Sequence, residues 1–125
     1  MTWTNLTAES FLTPDMVTAI NNETTTLAMF IVMRLGWQPP LVLPEVVRGT
    51  LTVPTAEFVN RIERNIDSLA RDIRHMVPAT KTWLGEDRDA EFLSYKDVNR
   101  WAESLGIIRA WVLTFPILPG WNEAV

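Results

Sequence analysis

Three stretches of the chain repeat one spacing of apolar residues, and each stretch predicts an amphipathic helix. Apolar positions recur every three or four residues, which places their side chains on one face of a helix. In chain order they are Met16, Ile20, Leu27 and Ile31; Phe58, Ile62, Ile66, Leu69 and Ile73; and Val98, Trp101, Leu105, Ile108 and Val112. The pattern predicts helices at about 13–35, 55–77 and 94–113.

Helix start signals precede all three stretches. Thr13, Thr55 and Ser94 can each accept a hydrogen bond from the free amides of a first helical turn. Pro14 occupies the favoured first position of its helix, and an acidic residue lies in each first turn, where the helix dipole favours negative charge. Proline follows each stretch and cannot continue a helix. The three stretches are therefore predicted to form three separate helices.

The helical stretches are also related as a repeat. Residues 13–28 match residues 55–70 at a shift of 42 positions, and a third copy begins at Ser94, shifted by 39 from the second. The length of the connections suggests an antiparallel packing order. Residues 41–55 are expected to form an extended arm or a short hairpin around Arg48-Gly49.

These patterns predict a mainly α fold, a small three-helix domain built from three related capped helices with extended proline-rich arms. A length of 125 residues with 47% apolar content suits a single domain spanning 1–125 with one core. The repeat units are predicted at about 3–36, 45–78 and 83–113, with a C-terminal arm at 114–125.

Composition and charge narrow the classes of partner. The absence of cysteine excludes disulfides and thiolate metal sites. A net charge of −4 argues against sequence-independent nucleic-acid binding, which requires a basic face. The longest apolar run, residues 27–33, is far shorter than the roughly 20 residues of a membrane span. We therefore expect neither a nucleic-acid partner nor a membrane partner.

No arrangement of reactive side chains indicates catalysis. His75 is the single histidine, no Gly-x-Ser-x-Gly motif is present, and the five glycines are not clustered. The acidic residues between 86 and 91 lack the spacing of a calcium-binding loop. We predict a protein that is not an enzyme and has no catalytic residue, metal, cofactor or small-molecule substrate. A small enzyme with a carboxylate-only site stays open as an alternative.

Two Asn-Arg pairs require an explanation of their own, since asparagine is a mediocre helix former. One turn inside a helix, these side chains can hydrogen-bond the incoming loop, which is a structural role. Binding of a partner is the alternative. The candidate structural motif comprises Asn60, Arg61, Glu63, Asn99 and Arg100.

Aromatic residues suggest a second set of candidates. The chain has six tryptophans, and Trp3 and Trp83 precede their helix caps by similar distances, so both are expected to pack over the following helix. The apolar, proline-broken C-terminal end is expected to form an assembly surface. Its candidate interface residues are Trp111, Phe115, Ile117, Leu118 and Trp121.

One motif resembles a known class of proteins. The run Pro54-Thr-Ala-Glu-Phe-Val-Asn-Arg-Ile-Glu-Arg-Asn-Ile-Asp-Ser-Leu69, echoed by Ser94-Tyr-Lys-Asp-Val-Asn-Arg-Trp, resembles helical segments of tail-associated structural proteins from phages of Gram-positive bacteria. The second copy matches well and the third in part. The first copy keeps the cap, the acid and the apolar frame, while Thr18 and Ala19 replace Asn-Arg.

The resemblance implies a virion protein of the phage tail, baseplate or fibre, assembled in the host cytoplasm. Its partners would be other virion structural proteins, and copies of the chain would form a homo-oligomer with closed symmetry. The alternative is a cellular helical regulator or adaptor that binds a partner helix in a groove lined by its apolar stripes.

Overall fold

Three α-helices dominate the computed structural model, which describes residues 13–45, 55–83 and 93–120. They are α1 (Pro14–Leu35), α2 (Ala56–Leu69) and α3 (Tyr95–Val112). The predicted mainly α, three-helix class is confirmed, and each helix begins within one residue of its predicted start. Among the described residues, no helix combines the length and the hydropathy that a membrane span requires.

Local signals account for the helix starts and for one helix end. The hydroxyl oxygens of Thr13 and Thr55 each accept a hydrogen bond, at 3.2 Å, from the backbone N–H three residues later. The end of α1 is marked by Gly36, which adopts a left-handed conformation with φ of 78°. A side chain there would be strained, and its Cβ would lie 3.3 Å from Leu118 Cδ1.

Helix α2 is shorter than the 55–77 predicted from the apolar spacing. The α-helix ends at Leu69, and the chain continues through turns into a 3₁₀ helix, Arg74–Met76. Ala70 and Ile73 nevertheless remain buried in the core. The Ile73 N–H donates to the Ala70 oxygen at 2.9 Å, and a turn with this three-residue bond keeps residues 70 and 73 on the same side of the chain, as an α-helix does. The apolar pattern therefore cannot locate this boundary.

The three helices run in the same direction, so the expected antiparallel order is wrong. The ring of Trp37, just after α1, lies 3.6 Å from the guanidinium carbon of Arg71, just after α2. Phe30, in the last third of α1, has its ring 5.4 Å from the guanidinium carbon of Arg109 near the end of α3. All three helices therefore end on the same side of the domain.

Parallel helices require the chain to return along the bundle after each helix, and Val42 and Trp83 lie back beside α2, where they bond Asn65 and Asn60. We name residues 37–45 arm 1, residues 77–83 arm 2 and residues 113–120 arm 3. Residues 41–45 of arm 1 are neither helix nor strand, and the rest of the expected extended arm, residues 46–54, lies outside the described residues. The possible hairpin around Arg48-Gly49 lies outside the described residues.

The apolar faces of the three helices form one core. Trp101 of α3 is completely buried, together with Leu27 of α1 and Leu69 of α2. Arm residues Leu41 and Trp83 pack against this core from outside. Full burial of one such large apolar side chain stabilises a fold by roughly 1.5–3 kcal/mol. The core therefore uses most of the stripe residues that the sequence pattern identified, whereas Met16 and Phe58 are only half-buried.

Candidate functional site

The side-chain amide of Asn60 holds arm 2 against α2. Its Nδ2 donates a hydrogen bond to the backbone oxygen of Trp83 at 2.8 Å, and the Trp83 N–H donates to Asn60 Oδ1 at 2.7 Å. This reciprocal pair imitates the way two antiparallel strands exchange hydrogen bonds. We call such an asparagine an amide clamp. Because Asn60 is buried, its amide depends on the arm for partners.

A second clamp on the same helix holds arm 1. The N–H of Val42 donates to Asn65 Oδ1 at 2.9 Å, and Asn65 Nδ2 donates to the Val42 oxygen at 3.0 Å. Two residues further along arm 1, the backbone oxygen of Pro44 accepts a hydrogen bond from Asn21 of α1 at 3.1 Å. Pro44 has no N–H to return, so this clamp makes a single bond. Arm 1 is therefore held between α1 and α2.

The clamps define the register of the repeat. Asn21 and Pro44 are separated by 23 residues, and so are Asn60 and Trp83. Asn60 lies 39 positions after Asn21, and Asn99 lies 39 positions after Asn60. The asparagine contacts of the first two units are therefore related by a shift of 39, whereas the caps Thr13 and Thr55 keep the predicted shift of 42. The difference is three residues, nearly one helical turn, which leaves the apolar stripe on the same face.

A buried ion pair joins α2 to α3. Arg100 donates two hydrogen bonds to Glu63, from Nη1 to Oε1 at 2.7 Å and from Nη2 to Oε2 at 2.5 Å. The Glu63 side chain is 2% exposed and that of Arg100 is 15% exposed. This two-point geometry is the strongest form of arginine–carboxylate contact. The pair fixes how the two helices face each other.

The same carboxylate also contacts arm 2. Glu63 Oε1 accepts from the backbone N–H of Lys81 at 3.3 Å, and Oε2 accepts from the indole Nε1 of Trp83 at 3.1 Å. Arg100 Nη1 donates to the backbone oxygen of Ala79 at 3.4 Å. The ion pair and the Asn60 clamp thus act on one segment of chain.

Asp97 completes this cluster at the start of α3. It accepts hydrogen bonds from Lys81 Nζ at 2.8 Å, from the Ser94 backbone N–H at 3.0 Å and from Arg100 Nη2 at 3.3 Å. Burial acts to raise the pKa of Asp97, but the hydrogen bonds and charge of its partners outweigh burial and leave the pKa below its ordinary value. Burial acts to lower the pKa of Arg100, yet Glu63 and Asp97 raise it.

The structure separates the members of the candidate structural motif. Asn60, Glu63 and Arg100 meet around arm 2. Arg61 instead pairs with Glu57 at 2.9 Å on an exposed face of α2. Asn99 lies half-buried on α3. Sequence reasoning missed Asn65, Lys81 and Asp97 as members of these contacts, although a polar Asn65 among the apolar positions of α2 was an available signal.

The candidate interface residues lie close to the chain's own helices. Trp111 and Phe115 have ring centroids 5.2 Å apart in an edge-to-face contact. The Leu118 N–H donates to the backbone oxygen of Met33 in α1 at 2.9 Å. Ile117 is half-buried. These contacts give arm 3 a part in the fold, whereas Trp121 lies outside the described residues.

Among the described residues, two neighbouring large apolar side chains are exposed on arm 1. Val42 is 60% exposed and the adjacent Leu43 is 41% exposed. The Asn65 clamp fixes the backbone of Val42, so this pair is presented on an ordered segment. Leu113, Met29 and Met76 are also exposed, but no two of them are neighbours in sequence.

The residues that were considered for catalysis and metal binding are not brought together within the described part of the chain. His75 is exposed within the 3₁₀ helix. No group of three or more His, Asp or Glu side chains in the described ranges could hold a metal ion. The acidic residues of 86–91 lie outside those ranges.

No known protein family, curated protein or solved structure matches the chain.

Proposed function

We propose that this chain is a phage virion structural protein of the tail, baseplate or fibre that acts by protein–protein assembly. The observation that carries assembly is the pair of exposed apolar side chains, Val42 and Leu43, on a clamped arm. The resemblance of residues 54–69 to tail-associated proteins supports the virion class. The partners are other virion chains and further copies of this one.

The geometry of arm 1 favours binding for an energetic reason. A loop that orders when it binds loses conformational entropy, which reduces its affinity. The bonds from Asn65 and Asn21 order arm 1 within the folded chain. Removing exposed apolar side chains such as Val42 and Leu43 from water on contact with a partner stabilises the complex, roughly in proportion to the apolar area that is buried.

The alternative function, capture of a partner helix by an apolar stripe, has less support. In the described residues the stripes of α1, α2 and α3 are buried against each other. The grooves on both sides of α2 already contain arms 1 and 2. A partner helix would have to displace an arm and break its clamp. The exposed arm 1 surface requires no such rearrangement.

The self-assembly part of the proposal is tested by the solution mass of the full chain, measured by size-exclusion chromatography with light scattering. We expect a closed oligomer, and we expect Val42→Asp to reduce its mass. Met76→Asp is the matched control, because Met76 is likewise exposed, at 49%, and belongs to the 3₁₀ helix after α2 and not to arm 1. A monomer at every concentration, or equal loss of mass in both variants, would contradict an arm 1 interface between copies.

The virion assignment needs a separate measurement. Particles from an induced lysogen that encodes the chain are purified by density gradient, and their proteins are mapped by peptide mass spectrometry. We expect peptides of this chain at stoichiometric abundance in intact particles. If the chain is abundant in the lysate and missing from the particles, the virion assignment is wrong and the cellular binding module is favoured.

A further inference from the structure

Arm 1 has an inner edge that bonds the helices and an outer edge that does not. On the inner edge Val42 bonds Asn65 through both its N–H and its C=O, and the Pro44 oxygen accepts from Asn21. The intervening Leu43 has no backbone hydrogen bond to any described residue. We infer that the outer edge pairs antiparallel with the outer edge of arm 1 in a second copy of the chain. The inference rests on the proposed function, because it names the bonds that hold copies together at arm 1.

The backbone direction at the outer edge follows from the Asn65 clamp and from proline. One carboxamide can bond the N–H and the C=O of the same residue only when both groups point to one side of the chain, as they do in extended backbone. Val42 is therefore extended. Leu43 precedes Pro44, whose ring disfavours the helical conformation for the residue before it and favours an extended one. Successive residues of an extended chain direct these groups to opposite sides, so those of Leu43 point away from Asn65.

The prolines of arm 1 do not interrupt this outer edge. By the alternation of an extended chain, Leu41, Leu43 and Glu45 belong to the outer edge, and all three retain a backbone N–H. Pro40 and Pro44 fall on the inner edge, where Pro44 contributes its oxygen. Within residues 41–45, every outer position therefore has both a donor and an acceptor. An unpaired edge of this kind is a template for pairing with another chain.

A second copy of arm 1 is a self-complementary partner for this edge. In a twofold pairing centred on Leu43, the two Leu43 residues exchange both backbone bonds, and Leu41 of each copy pairs with Glu45 of the other. Residues 37–44 carry no charge, so the pairing places no like charges opposite each other. Contact between copies at this edge also removes the exposed side chains of Val42 and Leu43 from water.

Arm 2 has the same alternation but a different outer edge. Lys81 and Trp83 bond α2 through their backbone, and Thr82 between them has no backbone bond to a described residue. The exposed Lys81 places a charged side chain beside this edge, and lysine at an unpaired edge protects against strand pairing. Position 82 follows position 43 by 39 residues, which is also the spacing of the Asn21 and Asn60 clamps. Arm 2 therefore offers a matched control.

Light scattering of full-chain variants over a range of concentrations tests the inference. Leu43→Pro removes the central N–H in both copies, and we expect the dissociation constant between copies to rise about tenfold to a hundredfold. Leu43→Val keeps the N–H and has as many side-chain carbons as proline, so it should retain the oligomer. Thr82→Pro makes the equivalent change on arm 2 and should also retain it. Equal weakening by Leu43→Pro and Leu43→Val would overturn the inference.

A mixed sample of ¹³C-labelled and unlabelled chains tests the pairing without any substitution, and it decides the question if Leu43→Pro fails to fold. Isotope-filtered nuclear Overhauser spectra select contacts between copies. We expect a cross-peak between the Hα of Val42 in one copy and the Hα of Pro44 in the other, because such a pair brings the two Cα atoms to about 4.5 Å. Cross-peaks from Leu43 to residues 46–54 of the same chain, or no contact between copies at arm 1, would overturn the inference.

The pairing and the proposed function fail in different ways. An oligomer that Val42→Asp weakens and Leu43→Pro leaves intact would overturn the backbone pairing and keep arm 1 as the interface. A chain that is monomeric at every concentration would overturn both the pairing and the assembly of copies. Detection of the chain in purified particles tests the virion assignment independently of either result.

Discussion

The two grooves on either side of α2 use the same clamp but differ in everything around it. Asn65 holds arm 1 and Asn60 holds arm 2 through the same pair of backbone bonds. Arm 2 is held in addition by Glu63 and Arg100, which are both largely buried. Arm 1 has no such ion pair among the described residues and leaves Val42 exposed. Buried charges therefore hold arm 2 in one position, whereas arm 1 exposes an apolar side chain to solvent.

The same asparagine–backbone contact therefore has a different consequence in each groove. A buried charge must keep its partners, since its desolvation is costly without them. The Glu63 carboxylate therefore holds arm 2 in one position through its hydrogen bonds to Lys81 and Trp83. The amide bonds of arm 1 order its backbone without covering its side chains. We expect substitutions at the contacts of arm 2 to lower the free energy of unfolding more than substitutions at the contacts of arm 1.

The largest effect is expected from Glu63→Gln. Loss of the carboxylate charge weakens the pair with a buried Arg100, and breaking a buried ion pair costs about 3–5 kcal/mol of unfolding free energy. The matched control is Glu57→Gln, which removes an exposed pair with Arg61 and should cost about 0–1 kcal/mol. Urea denaturation measures both. Equal losses of unfolding free energy in the two variants would mean that the buried ion pair does not hold arm 2 in the α2–α3 groove.

A smaller effect is expected from removal of the clamps. Asn60→Ala leaves the backbone groups of half-buried Trp83 unpaired, at about 1–3 kcal/mol for each group that water cannot reach. Asn65→Ala should cost less, because water can reach the backbone of the exposed Val42. The same denaturation experiment compares them. A larger cost for Asn65→Ala would reverse the proposed ranking of the two arms.

Acid should weaken the α2–α3 groove through Asp97. Its pKa is lowered in the folded chain, so its contribution to stability is present above the unfolded pKa of about 3.8 and is lost as the pH falls through the lower folded value. We expect the stability of the unmodified chain to fall more steeply below pH of about 4 than that of Asp97→Asn. Parallel curves of unfolding free energy against pH would show that Asp97 does not contribute.

The smallest effects are expected at the helix caps. Thr55→Ala removes the bond to the Phe58 N–H and should cost about 0.5–2 kcal/mol. Ser94→Ala should cost less, because the Asp97 carboxylate accepts from the Ser94 backbone N–H, which alanine retains. Melting temperatures of the two variants test this order. A greater loss for Ser94→Ala would mean that its hydroxyl is the main cap of α3.

Sequence patterns predicted the helical class and the helix starts, because those features depend on neighbouring residues. A cap such as Thr13 acts on an amide three residues away, and its effect can be recognised in any protein. The apolar stripes identified the core for a similar reason. The same stripes could not separate a shift of 42 from one of 39, since both keep the apolar face in place.

The candidate site depended on contacts between distant parts of the chain. Arg61 and Arg100 follow asparagine in similar helices, yet Arg61 is paired on an exposed face and Arg100 binds buried Glu63, 37 positions away. The parallel direction of the helices brings Arg100 to that carboxylate and returns the arms to their clamps. Local sequence therefore determined where helices begin and which faces are apolar. The tertiary structure alone decided which polar side chains meet, because their partners come from different helices and arms.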